Sequence, residues 1–185
     1  MGGIWVTFKK FIVIPNHLHD RVAHIKFSES ISIPDFCSRK LQMVDTRMSV
    51  VERETFLADI HVGVLSVPRR EGSAPLTVPV WYDYSPGSEV WLITGQHSLK
   101  GQLLEVGTPV TLVAQTEVTP YKYVSVEGCV RKIEPTSNES DLKPMAIRYL
   151  GEKKGTAYAV CSNEVASIRV SIQPERWFTV DYAKT

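Results

Sequence analysis

Short runs of alternating apolar and polar positions dominate the chain from residue 49 onward, and this period of two predicts β-strands. His61–Val67 is rich in β-branched residues and is closed by a turn at Pro68–Gly72. A second turn at Pro86-Gly87 leads into another such run, Glu89–Thr94. The same pattern predicts further extended segments at Ala74–Tyr84, Val110–Glu117, Tyr121–Ile133, Ser167–Ile172 and Trp177–Tyr182.

A few helical segments flank these strands. Ser49-Val50-Val51-Glu52 has the form of a capping box, in which serine and glutamate satisfy each other's backbone amides at a helix start. Further helices are predicted at Ser98–Val106, Asn138–Leu150 and Thr156–Cys161. Short strands joined mostly by turns, with helices beside them, predict a mostly β fold: a closed or partly closed barrel with helices outside it.

Residues 1–48 follow neither pattern. They mix aromatic residues with histidine and proline and keep no period of 2 or 3.6. They also lack the cleavage site of a secretory signal and the Arg-rich character of a transit peptide. We expect an N-terminal extension outside the fold, either disordered or upstream sequence read from a start earlier than Met43 or Met48. Residues 49–185 are expected to form one domain.

Composition and charge narrow the class of protein. The chain has 21 Lys and Arg against 20 Asp and Glu, a net charge of +1, so no excess of positive charge points to a nucleic acid or a membrane surface. No apolar run approaches the roughly 18 to 20 residues of a membrane span. Cys37, Cys129 and Cys161 have no spacing typical of zinc ligands or of a disulfide framework. We therefore expect a cytoplasmic protein without a metal site.

The segment Thr94–Lys100 carries the clearest chemical signal, because a glycine turn there joins a predicted strand to a predicted helix. Backbone amides at a helix start bind phosphate, and Thr94, Ser98 and Lys100 add two hydroxyls and a cation at the same place. His97 would be a pH-dependent anion contact. The alternative is structural: Thr94 and Ser98 cap the helix and Lys100 is a solvated side chain.

Val78-Pro79-Val80-Trp81 provides a second signal. Pro79 has no backbone donor and so favours a sheet edge, and Trp81 adds a large flat side chain beside it. A planar ring system could lie along this edge and accept backbone hydrogen bonds. The alternative is that Trp81 and Trp91 are core aromatics, the commoner position of tryptophan in a small barrel.

Several blocks in order resemble a known family. They are Gly63–Val67, Pro75–Tyr82, Val90–Thr94 with Ser98–Lys100, Arg148–Gly151 and Arg169–Trp177. Together these blocks are similar to the pyridoxamine 5′-phosphate oxidase-like, FMN-binding split-barrel family, and the last two to its flavin/deazaflavin oxidoreductase branch. The resemblance covers about residues 49 to 183, and it implies a six-stranded antiparallel split β-barrel with a few flanking helices.

The resemblance also implies a homodimer with a cofactor in each of two clefts at the subunit interface. The cofactor would be FMN, with a deazaflavin coenzyme as the alternative and haem as a further one. Thr94, Ser98 and Lys100 would hold its phosphate, and the strand Val78–Trp81 would lie along its ring. Arg131 and Trp177 would approach from the partner subunit. Because the chain has Ser98-Leu99-Lys100 where authentic pyridoxamine phosphate oxidases have an Arg-rich clamp, vitamin B6 oxidation is disfavoured.

Three functional interpretations remain open at this point. The first is a flavin- or deazaflavin-dependent oxidoreductase that transfers hydride to or from a small organic substrate. The second is a non-catalytic flavin, haem or tetrapyrrole carrier on the same fold. The third is a structural or regulatory barrel without a cofactor. Other enzyme classes are excluded more easily, since the sequence has no G-x-S-x-G, H-E-x-x-H, Walker or G-x-G-x-x-G motif.

Overall fold

The computed structural model describes residues 45–162 and 166–185, and the fold is given for those residues. The expectation of an N-terminal extension therefore lies, for residues 1–44, outside the described part of the chain. The residues just before the first helix run beside the last strand. The Asp181 amide donates to the Thr46 carbonyl at 2.8 Å, and the Met48 amide donates to Thr179 Oγ1 at 2.9 Å.

The described part is mostly β, with helices between and after the strands, which confirms the predicted fold class. It contains seven strands rather than the six expected. The strands are β1 (Gly63–Val67), β2 (Leu76–Val80), β3 (Tyr82–Asp83), β4 (Val90–Gly95), β5 (Pro109–Gln115), β6 (Lys122–Pro135) and β7 (Ser167–Asp181). The helices are α1 (Val50–Ala58), α2 (Leu99–Leu103), α3 (Lys143–Leu150) and α4 (Glu152–Cys161), with a π-helix at Asn138–Leu142 and a 3-10 helix at Tyr182–Lys184.

A single residue accounts for both the extra strand and the barrel. The sheet has the order β2-β1-β5-β6-β7-β4-β3, and all neighbouring strands are antiparallel. Its two edge strands, β2 and β3, follow each other in the chain with only Trp81 between them. The sheet must therefore curl until its edges meet. The extended segment predicted at Ala74–Tyr84 is divided at Trp81, because β2 pairs with β1 and β3 pairs with β4.

The last strand is longer than expected, since the two predicted segments form one continuous β7. Pro174 lies within it, opposite Gly128, where the β6–β7 register shifts. Proline has no backbone N–H to donate to a neighbouring strand. Because β4 pairs with β7 only as far as Ile172, Pro174 removes no hydrogen bond to β4. Gly128 is required here, since an added Cβ would collide with the Gln173 carbonyl oxygen.

The core lies on the concave face of the curled sheet. Leu65, Leu112 and Val126 are cross-strand neighbours on β1, β5 and β6, and each is at most 2% exposed. α1 packs against this core through Leu57, which is fully buried. The side chain of Tyr82 is also fully buried, and its hydroxyl donates to the Leu57 carbonyl at 3.0 Å. The barrel and its first helix therefore share one hydrophobic core.

The observed helix boundaries agree in part with those predicted from the sequence. The capping box is present: the Glu52 amide donates to Ser49 Oγ and the Ser49 amide donates to Glu52 Oε2, at 3.3 and 2.7 Å. α2 stops at Leu103, three residues earlier than predicted, because Leu104 turns into the core with 3% exposure. The helix predicted at Asn138–Leu150 begins as a π-helix and continues as α3.

Candidate functional site

The turn between β4 and α2 brings together Thr94, Ser98 and Lys100, as the sequence predicted. Thr94 is buried at the end of β4, and Ser98 is the N-cap of α2. Ser98 Oγ accepts from the Gly101 amide at 3.0 Å, donates to the Gly95 carbonyl at 2.7 Å and lies 3.2 Å from Thr94 Oγ1. These hydrogen bonds shape the turn without a ligand. They support the alternative interpretation in which Thr94 and Ser98 cap the helix, whether or not a ligand also binds.

The first turn of α2 lies directly on the end of β4. A Cβ added at Gly101 would collide with the Gly95 carbonyl oxygen and would lie 2.8 Å from the Gln96 carbonyl oxygen. The Gln96 amide donates to the Ala166 carbonyl at 3.0 Å, which ties the turn to the start of β7. The first backbone hydrogen bond of α2 runs from the Gln102 amide to the Ser98 carbonyl. The amides of Leu99 and Lys100 come earlier in the chain and therefore have no acceptor within the helix. The turn is closely packed and presents backbone donors.

Lys100 differs from the two hydroxyls beside it. Its side chain is half-buried, and within residues 45–162 and 166–185 its ammonium group makes no salt bridge or hydrogen bond. Burial lowers the pKa of this ammonium group, because the charged form loses water contacts without gaining a counter-charge. A bound anion would supply that counter-charge. His97 is exposed in the same turn, and its carbonyl accepts from Gln102 Nε2 at 3.2 Å.

The second predicted segment, Val78–Trp81, forms the open edge of the sheet. β2 pairs only with β1, through Leu65↔Val78 and Val64↔Pro79, so its other side is free along the described chain. Pro79 is exposed there, whereas Val80 is 5% exposed and faces the core. Continuing the β3–β4 register by one residue from Tyr82↔Leu92 sets Trp81 level with Ile93. The two segments singled out in the sequence therefore meet at one end of β4.

Trp81 is held by the helices that follow β6. Its ring lies parallel to the Tyr149 ring on α3, with centroids 5.1 Å apart and an angle of 8° between the planes. The Tyr158 ring of α4 lies 5.5 Å away and is tilted by 56°. One face of the indole is thus already covered. A planar ligand on this edge would contact the backbone of β2 rather than stack on that face of Trp81.

The structure does not bring Arg131 and Trp177 to this end of β4 within one chain. Arg131 is exposed at a register shift of β6 between Val130 and Lys132. Trp177 on β7 lies opposite Val126 on β6. Along β7 it is far from Ile168, the residue that pairs with Thr94. Their contribution from a partner subunit stays a prediction.

Two carboxylates of the barrel, Asp83 on β3 and Glu127 on β6, are engaged in ion pairs. Asp83 Oδ1 lies 3.6 Å from Arg148 Nη1, and Glu127 Oε2 lies 2.9 Å from Arg176 Nε. Among the residues described, no group of three or more His, Cys, Asp and Glu side chains could hold a metal ion. Across the same residues no helix is both long and apolar enough to cross a membrane.

Sequence reasoning missed a cleft of about 690 Å³ beside α1. It lies between the N-terminal part of α1 and the second half of β7, and Arg53 and Trp177 line it together. The Arg53 guanidinium lies over the Trp177 ring, 4.6 Å from its centroid. The sequence contains no signal for this pairing, because the two residues are far apart in the chain and only the folded sheet brings β7 beside α1.

Three solved structures show what this fold is similar to. A conserved hypothetical protein from Mycobacterium tuberculosis is 25% identical, with a TM-score of 0.61 over 77% of this chain and 91% of that one. An F420 reductase is 18% identical, with a TM-score of 0.55 over 68% and 94%. A FAD and heme binding protein from Mycobacterium smegmatis is 13% identical, with a TM-score of 0.51 over 73% and 72%. No family model and no curated protein matches the sequence.

These likenesses and the curled antiparallel sheet define the chain as a split-barrel protein. Its fold is that of the pyridoxamine 5′-phosphate oxidase-like, FMN-binding split-barrel family, which confirms the resemblance drawn from the sequence blocks.

Proposed function

We propose that the protein is a flavin- or deazaflavin-dependent oxidoreductase that transfers hydride to or from a small organic substrate, with FMN as the first candidate cofactor. The observation that carries the proposal is Lys100, a half-buried cation without a counter-charge in the described chain, beside free amides and an open sheet edge. The shared fold with an F420 reductase and with a FAD and heme binding protein supports this choice of ligand.

The residues at the end of β4 fit a phosphate-bearing cofactor. Lys100 would pair with the phosphate, and the amides of Leu99 and Lys100 would donate to its oxygens. The Thr94 and Ser98 hydroxyls are within hydrogen-bonding distance of each other in the turn, and His97 lies within the same turn. The backbone of Val78–Val80 would run along the ring edge. When bound, a flavin or deazaflavin supplies hydride transfer, so the chain itself needs to bind, orient and exclude water.

A homodimer belongs to the same proposal, and an apolar band on the outer sheet face supports it. The band follows one register row across β2, β1, β5, β6 and β7; its apolar residues are Pro79, Val64, Val113 and Phe178, and Ser125 lies between Val113 and Phe178. Val64 is 37% exposed and Phe178 is 52% exposed, although both are apolar. Burial against a second copy would remove this surface from water. Because Pro79 belongs both to the band and to the open edge, the interface would border the cofactor.

The second candidate is a flavin, haem or tetrapyrrole carrier. It is favoured by the likeness to a FAD and heme binding protein. Vitamin B6 oxidation remains disfavoured, because Ser98-Leu99-Lys100 stands where an Arg-rich clamp is expected. A cytoplasmic location stays a prediction.

The absorbance spectrum of the purified protein tests the proposal first. A flavin or deazaflavin band, followed by oxidation of the reduced cofactor in the presence of an acceptor, supports the oxidoreductase. A bound flavin that does not turn over, or a Soret band, supports the carrier. A colourless protein that binds neither added FMN nor a deazaflavin contradicts both candidates.

A further inference from the structure

The cleft around Arg53 contains a cation that has no ion-pair partner among residues 45–162 and 166–185. Arg53 lies on α1 and is half-buried, with its guanidinium over the Trp177 ring. Its Nε is shielded from solvent and has no hydrogen-bond partner among the described residues. A guanidinium whose hydrogen-bond donors remain free next to a cavity is suited to receive an anion.

The Nε atoms of Arg148 and Arg169 are also buried without a partner in the described chain, but terminal nitrogens of these two arginines and of Arg47 are engaged there, unlike those of Arg53. Arg148 Nη2 donates to the carbonyls of Ala58 and Asp59, at 2.5 and 3.0 Å. Arg169 Nη1 donates to the buried Asp141 carboxylate at 2.8 Å. Arg47, in the same cleft as Arg53, is held by Asp45 through two bonds of 2.8 and 2.9 Å.

The shape and lining of the cleft indicate what kind of anion it fits. Its volume of about 690 Å³ is in the range of small-molecule pockets, roughly 300–1,000 Å³. Two arginines and one aspartate give the lining one net positive charge, and the Trp177 ring beside Arg53 supplies a flat apolar surface. The charged lining residues are Asp45, Arg47 and Arg53.

We propose that this cleft binds a small aromatic monocarboxylate, whose carboxylate pairs with Arg53 while its ring packs beside Trp177. The single net charge matches one carboxylate, and the planar guanidinium fork matches carboxylate geometry. Trp177 is then primarily a residue of this cleft, rather than a contact to the cofactor of a partner subunit. The site needs no flavin, so it is independent of the proposed function.

Titration of the full-length protein with 2-naphthoate, followed by calorimetry, tests the proposal. The neutral isostere 2-naphthamide serves as the ligand control. Arg53→Gln removes the charge, and Arg176→Gln removes a surface guanidinium paired with Glu127. We expect Arg53→Gln to weaken 2-naphthoate binding by about tenfold or more, as for the loss of a charge-assisted hydrogen bond. Arg176→Gln should bind like the wild type, and 2-naphthamide should bind more weakly than 2-naphthoate.

Two further measurements keep the test decisive. The indole signal of Trp177, assigned by its loss in Trp177→Phe among the four tryptophans, should shift on addition of 2-naphthoate. If Arg53→Gln does not fold, Arg53→Lys keeps the charge without the planar fork and should still bind more weakly than the wild type. The proposal is overturned by absent binding, by equal affinity in the Arg53 variant, by equal affinity for the neutral amide, or by displacement of 2-naphthoate by FMN.

Discussion

The Tyr149 ring lies parallel to the Trp81 ring at a centroid distance of 5.1 Å, and Trp81 is the one residue that separates the two edge strands of the barrel. The Tyr149 hydroxyl lies 2.8 Å from the His61 carbonyl and 2.9 Å from the Tyr82 carbonyl, and it accepts from the Tyr82 amide at 3.1 Å. The Tyr149 side chain on α3 therefore holds both the junction between β2 and β3 and the segment that leads into β1.

Tyr149→Phe should destabilise the protein by about 1–3 kcal/mol, because it leaves half-buried backbone groups of Tyr82 and His61 without a partner while keeping the ring stack. Urea unfolding measures the change. Tyr158→Phe is the matched control, since Tyr158 also contacts Trp81 but is 44% exposed. Equal stability of the two variants would show that the hydroxyl of Tyr149 does not hold the junction.

The sequence allowed the class of fold to be predicted because strand alternation and turn residues are local signals. The capping box at Ser49 and the strand at Gly63–Val67 are examples, as is the turn at Ser98. The break at Trp81 could not be predicted, since it depends on which strand each side of the residue pairs with. The continuous β7 was missed because Pro174 normally ends a strand, and here it has no second ladder to interrupt.

The sequence likewise allowed only the local part of the candidate site to be predicted, because contacts between distant segments depend on how the strands pair. Thr94, Ser98 and Lys100 are near in sequence, so their proximity follows from one turn. The contact between Arg53 and Trp177 depends on β7 lying beside α1, a long-range consequence of the strand order. The stack of Tyr149 on Trp81 likewise needs α3 to return to the barrel, and no local pattern encodes that.

Gly101→Ala should destabilise the protein by about 1–3 kcal/mol, the scale of overpacking at a tight contact, because the new Cβ would collide with the carbonyl of Gly95. Gly95→Ala is the control within the same turn, since its Cβ would meet only Ser98 Cβ, at 3.9 Å. Thermal unfolding of both variants is the measurement. A Gly101→Ala protein as stable as Gly95→Ala would contradict the close contact between α2 and β4.

His61 should make stability depend on pH below neutrality. Burial lowers the pKa of His61 from its ordinary value of 6.5, with nearby Asp59 opposing and Arg148 reinforcing the shift. The unfolded chain then binds more protons than the folded one as the pH falls through 6.5 towards the folded pKa, so stability is lost on acidification, by at most about 1.4 kcal/mol per pH unit.

Unfolding free energies of the wild type and His61→Phe between pH 7.5 and 5 measure this effect. The variant keeps an aromatic ring to stack on Phe56, as His61 does at 4.3 Å, but it cannot titrate. Its stability should fall less steeply over this range. Parallel curves for wild type and His61→Phe would rule out His61 as the source.

Val64→Glu should convert the proposed homodimer to monomers, because it sets a charge in the middle of the apolar band on the outer sheet face. Sedimentation velocity measures the molar mass directly. Val118→Glu is the matched control, since Val118 is 76% exposed and lies outside the band. A wild-type monomer, or a dimer that survives Val64→Glu, would count against this interface.

Lys100→Ala provides the most direct test of the central claim, with FMN and a deazaflavin each titrated into the wild type and the variant. Lys153→Ala, which removes an exposed lysine of α4, is the control. We predict that Lys100→Ala weakens cofactor binding by about 1.5–3 kcal/mol, roughly 10- to 150-fold, and that Lys153→Ala binds like the wild type. Equal affinity in all three proteins, or no binding to the wild type, would contradict the assignment of the β4–α2 turn as the cofactor site.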